Sequence, residues 1–226
     1  MSVSLDSYCL SDDEAVSLLR DAPWRRFAVL GDSLAAGIGE DTSGYPTGGW
    51  QETLARVLRR VHPGLAYLNV GRRGLLAREV RETQFEPALA FGPDLAALVC
   101  GGNDSLKPSF EIDSVTADLD HMVGELRARG SDVLLFGLMD ITTAGLIDPQ
   151  YAPMVHERLV TLADATATVA DRHGAIYLRM TEHPAAAEPS LYSSDLLHAN
   201  GRGHAVLAGE TVRRLAEHLA LASQYA

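Results

Sequence analysis

Cysteine is almost missing from this chain of 226 residues: Cys9 and Cys100 are the only two. Two thiols make no disulfide framework, and Cys100, at the end of an apolar run, reads as a buried free thiol. Positive charge is also scarce. Lys and Arg number 19 against 30 Asp and Glu, a formal charge of −11. A phosphate backbone demands a basic stripe and an anionic bilayer demands cationic patches. Nucleic acid and stable membrane association are therefore excluded as partners. No uninterrupted apolar stretch approaches the roughly 18–20 residues of a membrane span. The opening stretch, MSVSLDSYCLSDDEAVSLL, has neither a basic n-region nor a long apolar core. It reads against a secretory signal, and the expected location is cytoplasmic.

What is present is ordinary globular composition, 46% apolar and 22% charged, too hydrophobic for disorder. The length suits one domain over residues 1–226. Residues 1–23 read as an added N-terminal helical segment packed on the outside, with Ser11 as N-cap and Asp12, Asp13 and Glu14 in the first turn. Nothing repeats internally and no tract is of low complexity.

Short apolar runs alternate with amphipathic stretches. Arg26–Gly31, Leu65–Val70, Asp94–Cys100, Asp132–Gly137 and Ala175–Arg179 are nearly continuous in apolar residues, as strands buried on both faces are. Between them, Trp50, Leu54, Val57, Leu58 and Val61 share one helical stripe. Val115, Leu119, Met122 and Leu126 share a second, and Val155, Leu159, Leu162, Thr166 and Val169 a third. After Gly203 a last helix aligns Ala205, Ala208, Val212, Leu215, Ala216 and Leu219. Strand alternating with helix implies a doubly wound, three-layer α/β/α domain with about five parallel strands. The irregular stretches Asp140–Pro153 and Thr181–Ser194 follow strands, so both belong at the carboxyl edge of the sheet, where open α/β folds bind ligands.

Four blocks at strand ends carry chemistry. Gly31-Asp32-Ser33-Leu34 puts a hydroxyl after the first strand, with Gly31 free to turn sharply. Asn69-Val70-Gly71-Arg72-Arg73-Gly74 follows the second strand and can aim a backbone N–H into a cleft. Gly101-Gly102-Asn103-Asp104 ends the third and offers the Asn103 amide. Asp195-Leu196-Leu197-His198 spaces a carboxylate and an imidazole to meet on one turn, leaving Nε2 free to accept a proton. Alone, each is more simply a turn, a cap or an exposed histidine. Together they supply a nucleophile, a base, an acid that orients the base, and donors for an oxyanion.

Other signatures fail. Ala35 stands where the nucleophile elbow G-x-S-x-G needs its second glycine. Gly37-Ile38-Gly39 lacks the third glycine of a dinucleotide fingerprint, no Walker A sequence exists, and Val160 stands where a zinc-protease helix starting at His156-Glu157 needs its second histidine. His62, His121, His173, His183, His204 and His218 are scattered and read as surface or packing residues. Arg72, Arg73, Arg78 and Arg81 read as a solvated face.

The four blocks resemble those of the SGNH hydrolases, the GDSL esterase–lipase family, over about residues 25–219. GYPTGGW, YLNVGRRG and HANGRGH also resemble intracellular actinobacterial members. The resemblance implies a flavodoxin-like fold with five parallel strands. It implies Ser33 as nucleophile, Asp195 and His198 as its relay, and an oxyanion hole from the N–H groups of Ser33 and Gly74 plus the Asn103 amide. Within the second block it selects Gly74 over Gly71. Each oxyanion donor is typically worth about 2.7–4 kcal/mol in the transition state. The implied activity is a serine esterase acting on a small-molecule carboxylic ester through an acyl-enzyme on Ser33, with no metal and no cofactor. An O-deacetylase or acyltransferase working on a sugar or natural product, or a thioesterase, would use the same machinery. The edge-loop residues Tyr45, Trp50, Met139, Ile141, Leu146, Ile147, Tyr151 and Tyr192 read more as loop packing than as an acyl wall. The loops are too short for a large lid, so a modest cleft for a short acyl group is expected.

Overall fold

The computed structural model of the chain describes residues 6–223. Five strands, β1 (Arg26–Gly31), β2 (Ala66–Asn69), β3 (Leu95–Val99), β4 (Asp132–Gly137) and β5 (Ile176–Arg179), pair in parallel in the order β2-β1-β3-β4-β5. This is the expected fold class, and three strands are only trimmed by a residue or two at their ends. The order reverses between β1 and β3, so a crevice opens there at the carboxyl edge.

Helices cover both faces: α1 (Asp12–Leu18), α2 (Ser33–Ala36), α3 (Trp50–Val61), α4 (Ala77–Phe91), α5 (Gly102–Ser105), α6 (Ile112–Ala128), α7 (Ala152–His173) and α8 (Gly201–Ser223). Successive strand residues point to opposite faces. Phe27 and Val29 of β1 enter a core with α1, α3 and α8, whereas Ala28 and Leu30 enter a second core with α4, α6 and most of α7. Val155 and Leu159, in the first two turns of α7, belong to the first core, so that end of the helix wraps over the sheet edge.

The added helix is shorter than the segment proposed for it. Residues 1–5 lie outside the described residues, and α1 begins at Asp12 behind a capping box. The Ser11 hydroxyl accepts the Glu14 N–H, and the Glu14 carboxylate accepts the Ser11 N–H at 2.8 Å, which satisfies two backbone donors at the helix start. The helix packs on α3 and α8, and Arg56 of α3 pairs with Asp12 at 2.9 Å.

One helix, α4, has no counterpart among the predicted stripes. Its buried face is Ala77, Val80, Gln84, Phe85 and Ala88, and Pro87 lies within it. A buried glutamine and an internal proline both erase the apolar periodicity by which helices are read. Cys9 and Cys100 are both free and buried, as expected of Cys100. Among the described residues no helix is long and apolar enough to cross a membrane.

Candidate active site

The turn after β1 is built around Gly31. Its φ is +138°, and a Cβ placed there would lie 1.8 Å from the Val99 carbonyl oxygen, so only glycine lets the chain pass β3. The buried Gln84 side chain grips it from α4. Its Oε1 accepts the Gly31 N–H at 2.7 Å and its Nε2–H donates to the Gly31 carbonyl at 2.9 Å. Asp32 then caps α2, accepting the Leu34 N–H at 3.0 Å, and Ser33 is the first residue of that short helix. Asp32 is buried, with no Arg or Lys paired to it among the described residues. Burial, reinforced by the nearby Asp104 carboxyl and opposed by the Leu34 N–H, pushes its pKa up to about 7.

The two glycines of the second block behave differently. Gly71 donates its N–H to Asn69 Oδ1 at 2.8 Å, and a Cβ there would lie within 3 Å of Ala35 and Ala36. Asn69 in turn donates to the Ala35 carbonyl at 3.0 Å. Gly71 is thus engaged in packing this loop on α2. Gly74 has a φ of +82° and open space around it, and among the described residues its N–H has no acceptor. Asn103, on α5, donates one amide hydrogen to the Leu75 carbonyl at 2.9 Å, and the adjacent Asp104 accepts the Ala77 N–H at 3.0 Å. These two bonds clasp the end of the Gly74 loop and the start of α4 to α5, which carries Asn103.

The Asp195–His198 spacing works, but not by a helical turn. Residues 193–198 form a loop closed by the Tyr192–Ala199 bridge and by the Ser193 N–H on the His198 carbonyl at 2.7 Å. Leu196 adopts a left-handed φ of 59°, the kind of strained backbone found at functional sites. Asp195 Oδ2 lies 2.6 Å from His198 Nδ1, while Oδ1 accepts the N–H groups of His198 at 3.0 Å and Leu197 at 3.2 Å. Burial would raise the Asp195 pKa, yet these bonds outweigh it and hold the carboxyl at about 2. Its side chain is 41% exposed and that of His198 only 9%. The Arg73 guanidinium lies 3.7 Å from Asp195 Oδ2. Arg78 and Arg81 are spent on Glu82 and Asp118.

Ser33, Asn103 and His198 line one pocket. Ser33 Oγ and His198 Nε2 carry no hydrogen bond among the described residues, and such bonds often form only once substrate is bound. Asp32 and Ser105 also line it, and most of the remaining wall is apolar, from Leu138, Met139, Ile141, Val155, Leu159 and Leu207 among others, around a cavity of about 120 Å³. Met139, Ile141 and Tyr192 pack in or against the core, as expected of them, and line this pocket as well. Trp50 is buried beneath, Leu146 and Ile147 pack on the core, Tyr45 lines a separate groove, and Tyr151 is exposed. Among the described residues no group of three or more His, Cys, Asp or Glu side chains is arranged to hold a metal.

Sequence reasoning missed Glu40. It joins the segment after the Ser33 helix to the loop carrying the histidine. Its N–H donates to Ser193 Oγ at 3.0 Å, and its carbonyl accepts the Gly201 N–H at 2.8 Å. Its carboxylate accepts the Ser194 N–H at 3.0 Å and the Ser194 hydroxyl. His204, buried and held below its usual pKa chiefly by burial, adds a contact from Nε2 to the Ile38 carbonyl at 3.2 Å. An exposed acid in a glycine-rich loop carries no sequence signal for this role.

Residues 29–206 match the GDSL-like lipase/acylhydrolase family. No curated protein matches the chain. The acetylxylan esterase Axe2 of Geobacillus stearothermophilus superposes with a TM-score of 0.66 at 19% identity, covering 84% of this chain and 93% of its own. An α/β hydrolase, LAE5, from the metagenome of Lake Arreo in Spain gives 0.67 at 20% identity, covering 84% and 94%.

Proposed function

The chain belongs to the GDSL-like lipase/acylhydrolase family and is an ester hydrolase, and we propose that it works as a serine esterase with Ser33, His198 and Asp195 in series. The observation that carries this is the 2.6 Å bond from His198 Nδ1–H to Asp195. It fixes the tautomer in which Nε2 is an acceptor, in the pocket that Ser33 also lines. His198 Nε2 takes the Ser33 proton as Oγ attacks the ester carbonyl, and Asp195 stabilises the imidazolium. The Ser33 and Gly74 N–H groups and the second Asn103 amide hydrogen stabilise the oxyanion. The alcohol leaves with the proton from His198, and water releases the acid by the same steps in reverse. The unengaged Gly74 N–H supports Gly74 over Gly71. Catalytic mutants of Axe2 replace a serine, an aspartate and a histidine three positions beyond the aspartate, the same residue types and the same aspartate-to-histidine spacing.

The mostly apolar lining supports the pocket as the acyl site. Its volume of about 120 Å³ is close to the roughly 150 Å³ that holds a benzene ring, which favours a short acyl group. The small pocket, and the likeness to the acetylxylan esterase Axe2, keep O-deacetylation of a sugar as a second reading. A fluorophosphonate probe tests the mechanism. It should label the wild-type chain and not Ser33→Ala, and labelling that survives the substitution overturns the assignment. Product analysis with an acceptor alcohol present separates hydrolysis from acyl transfer.

A further inference from the structure

A second aspartate–histidine pair stands at the same sheet edge, outside the machinery just described. Asp140 lies in the strap that leaves β4, and His156 lies in the second turn of α7. Asp140 Oδ2 is 2.6 Å from His156 Nδ1, and Oδ1 accepts the Thr142 N–H at 3.0 Å and the Thr142 hydroxyl at 2.6 Å. The carboxylate is 2% exposed while the imidazole is 56% exposed. A buried carboxylate is tolerated only when its oxygens are hydrogen-bonded, and here the histidine is the sole donor to one of them among the described residues.

The neighbours of the two residues give the pair its meaning. Met139 and Ile141, on either side of Asp140, line the pocket that holds Ser33, and so do Val155 and Leu159, one residue before and three after His156. Two separate segments thus form one stretch of wall, and this hydrogen bond joins them side chain to side chain. We propose that Asp140 and His156 set the width of the acyl pocket by holding the β4 strap against α7. They are positioning residues that determine chain-length specificity. The inference rests on the esterase reading above.

Steady-state kinetics on p-nitrophenyl butyrate and octanoate test it. A single methylene in an apolar pocket changes kcat/KM by about 10–200-fold. Loosening the wall in His156→Ala should therefore raise the octanoate-to-butyrate ratio of kcat/KM at least about fivefold. The change should come through a lower KM for octanoate, with kcat on butyrate nearly constant. His156→Gln, whose amide can donate to the same carboxylate, should return the ratio toward wild type. His156→Leu, which keeps bulk without a donor, should shift it as alanine does. A ratio unchanged in both the alanine and leucine variants overturns the latch and leaves the Ser33 chemistry standing. A wild-type chain that turns over neither ester and takes no label on Ser33 removes the esterase reading, and the latch with it.

Discussion

The two aspartate–histidine pairs share a 2.6 Å bond through Nδ1 and differ in which partner is hidden. In the pair formed by Asp195 and His198, the imidazole is buried in the pocket wall and the carboxylate faces water. In the pair formed by Asp140 and His156 the order is reversed. The buried member shows what each pair can do. A buried imidazole with Nε2 open to a pocket can exchange a proton with a bound group. A buried carboxylate saturated by a hydroxyl, a backbone N–H and an imidazole can only hold its neighbours in place. A shared residue pattern is therefore not a shared role.

Asparagine substitution at the two aspartates should divide the pairs most sharply. Asp195→Asn disturbs the His198 tautomer, and a buried triad acid loses roughly 10⁴-fold in kcat by this change. Here the carboxylate is exposed, so water can replace it at Nδ1, and a loss of roughly 10²-fold is expected, short of that limit. Asp140→Asn should leave kcat on butyrate and the rate of fluorophosphonate labelling close to wild type. Equal losses at the two positions would erase the distinction.

Asp32 extends the comparison to a carboxyl with no histidine at all. Hydrogen bonds from His198 and Leu197 hold Asp195 at about 2, whereas burial lifts Asp32 to about 7. In the unfolded chain an aspartate releases its proton near pH 4. Between about pH 4 and 7 the native state thus binds the extra proton, and stability falls as pH rises through that window. The full loss, on the order of 4 kcal/mol, is in place above pH 7. Asp32→Asn should flatten this slope. Urea midpoints at pH 5 and pH 8 should differ clearly in the wild-type chain and little in the variant, and a slope that persists would assign the proton to another group.

Much of this was legible in the sequence because it is written in short-range patterns. The five strands are continuous apolar runs, Ser33 and Asn103 stand in compact blocks just after β1 and β3, and Asp195 and His198 share a compact block, although it lies in a loop well past β5 and not at a strand end as expected. What stayed hidden depends on contacts across the chain. Gln84 and Pro87 mask α4, and nothing local says that a glutamine will grip both backbone groups of Gly31. That Gly71 donates to Asn69 while, among the described residues, the Gly74 N–H has no acceptor is visible only in the folded loop. The non-helical loop around Leu196 could not be read from a spacing that suits a helix equally well. His156 was weighed only against a zinc motif, because its partner lies 16 residues earlier in a strap without periodicity.

The Glu40 clasp bears on how this protein fails when warmed. The sheet is secured by two apolar cores, but the loop that presents His198 is tied to the Ser33 side of the cleft by a few polar bonds near the surface. Regions with exposed hydrogen bonds open at lower free energy than the core. Heat should therefore silence turnover some degrees before far-UV ellipticity collapses, and cooling should restore it. Glu40→Ala should widen that gap by lowering the inactivation temperature more than the melting temperature. Coincident midpoints in both proteins would mean that the loop and the sheet melt as one cooperative unit.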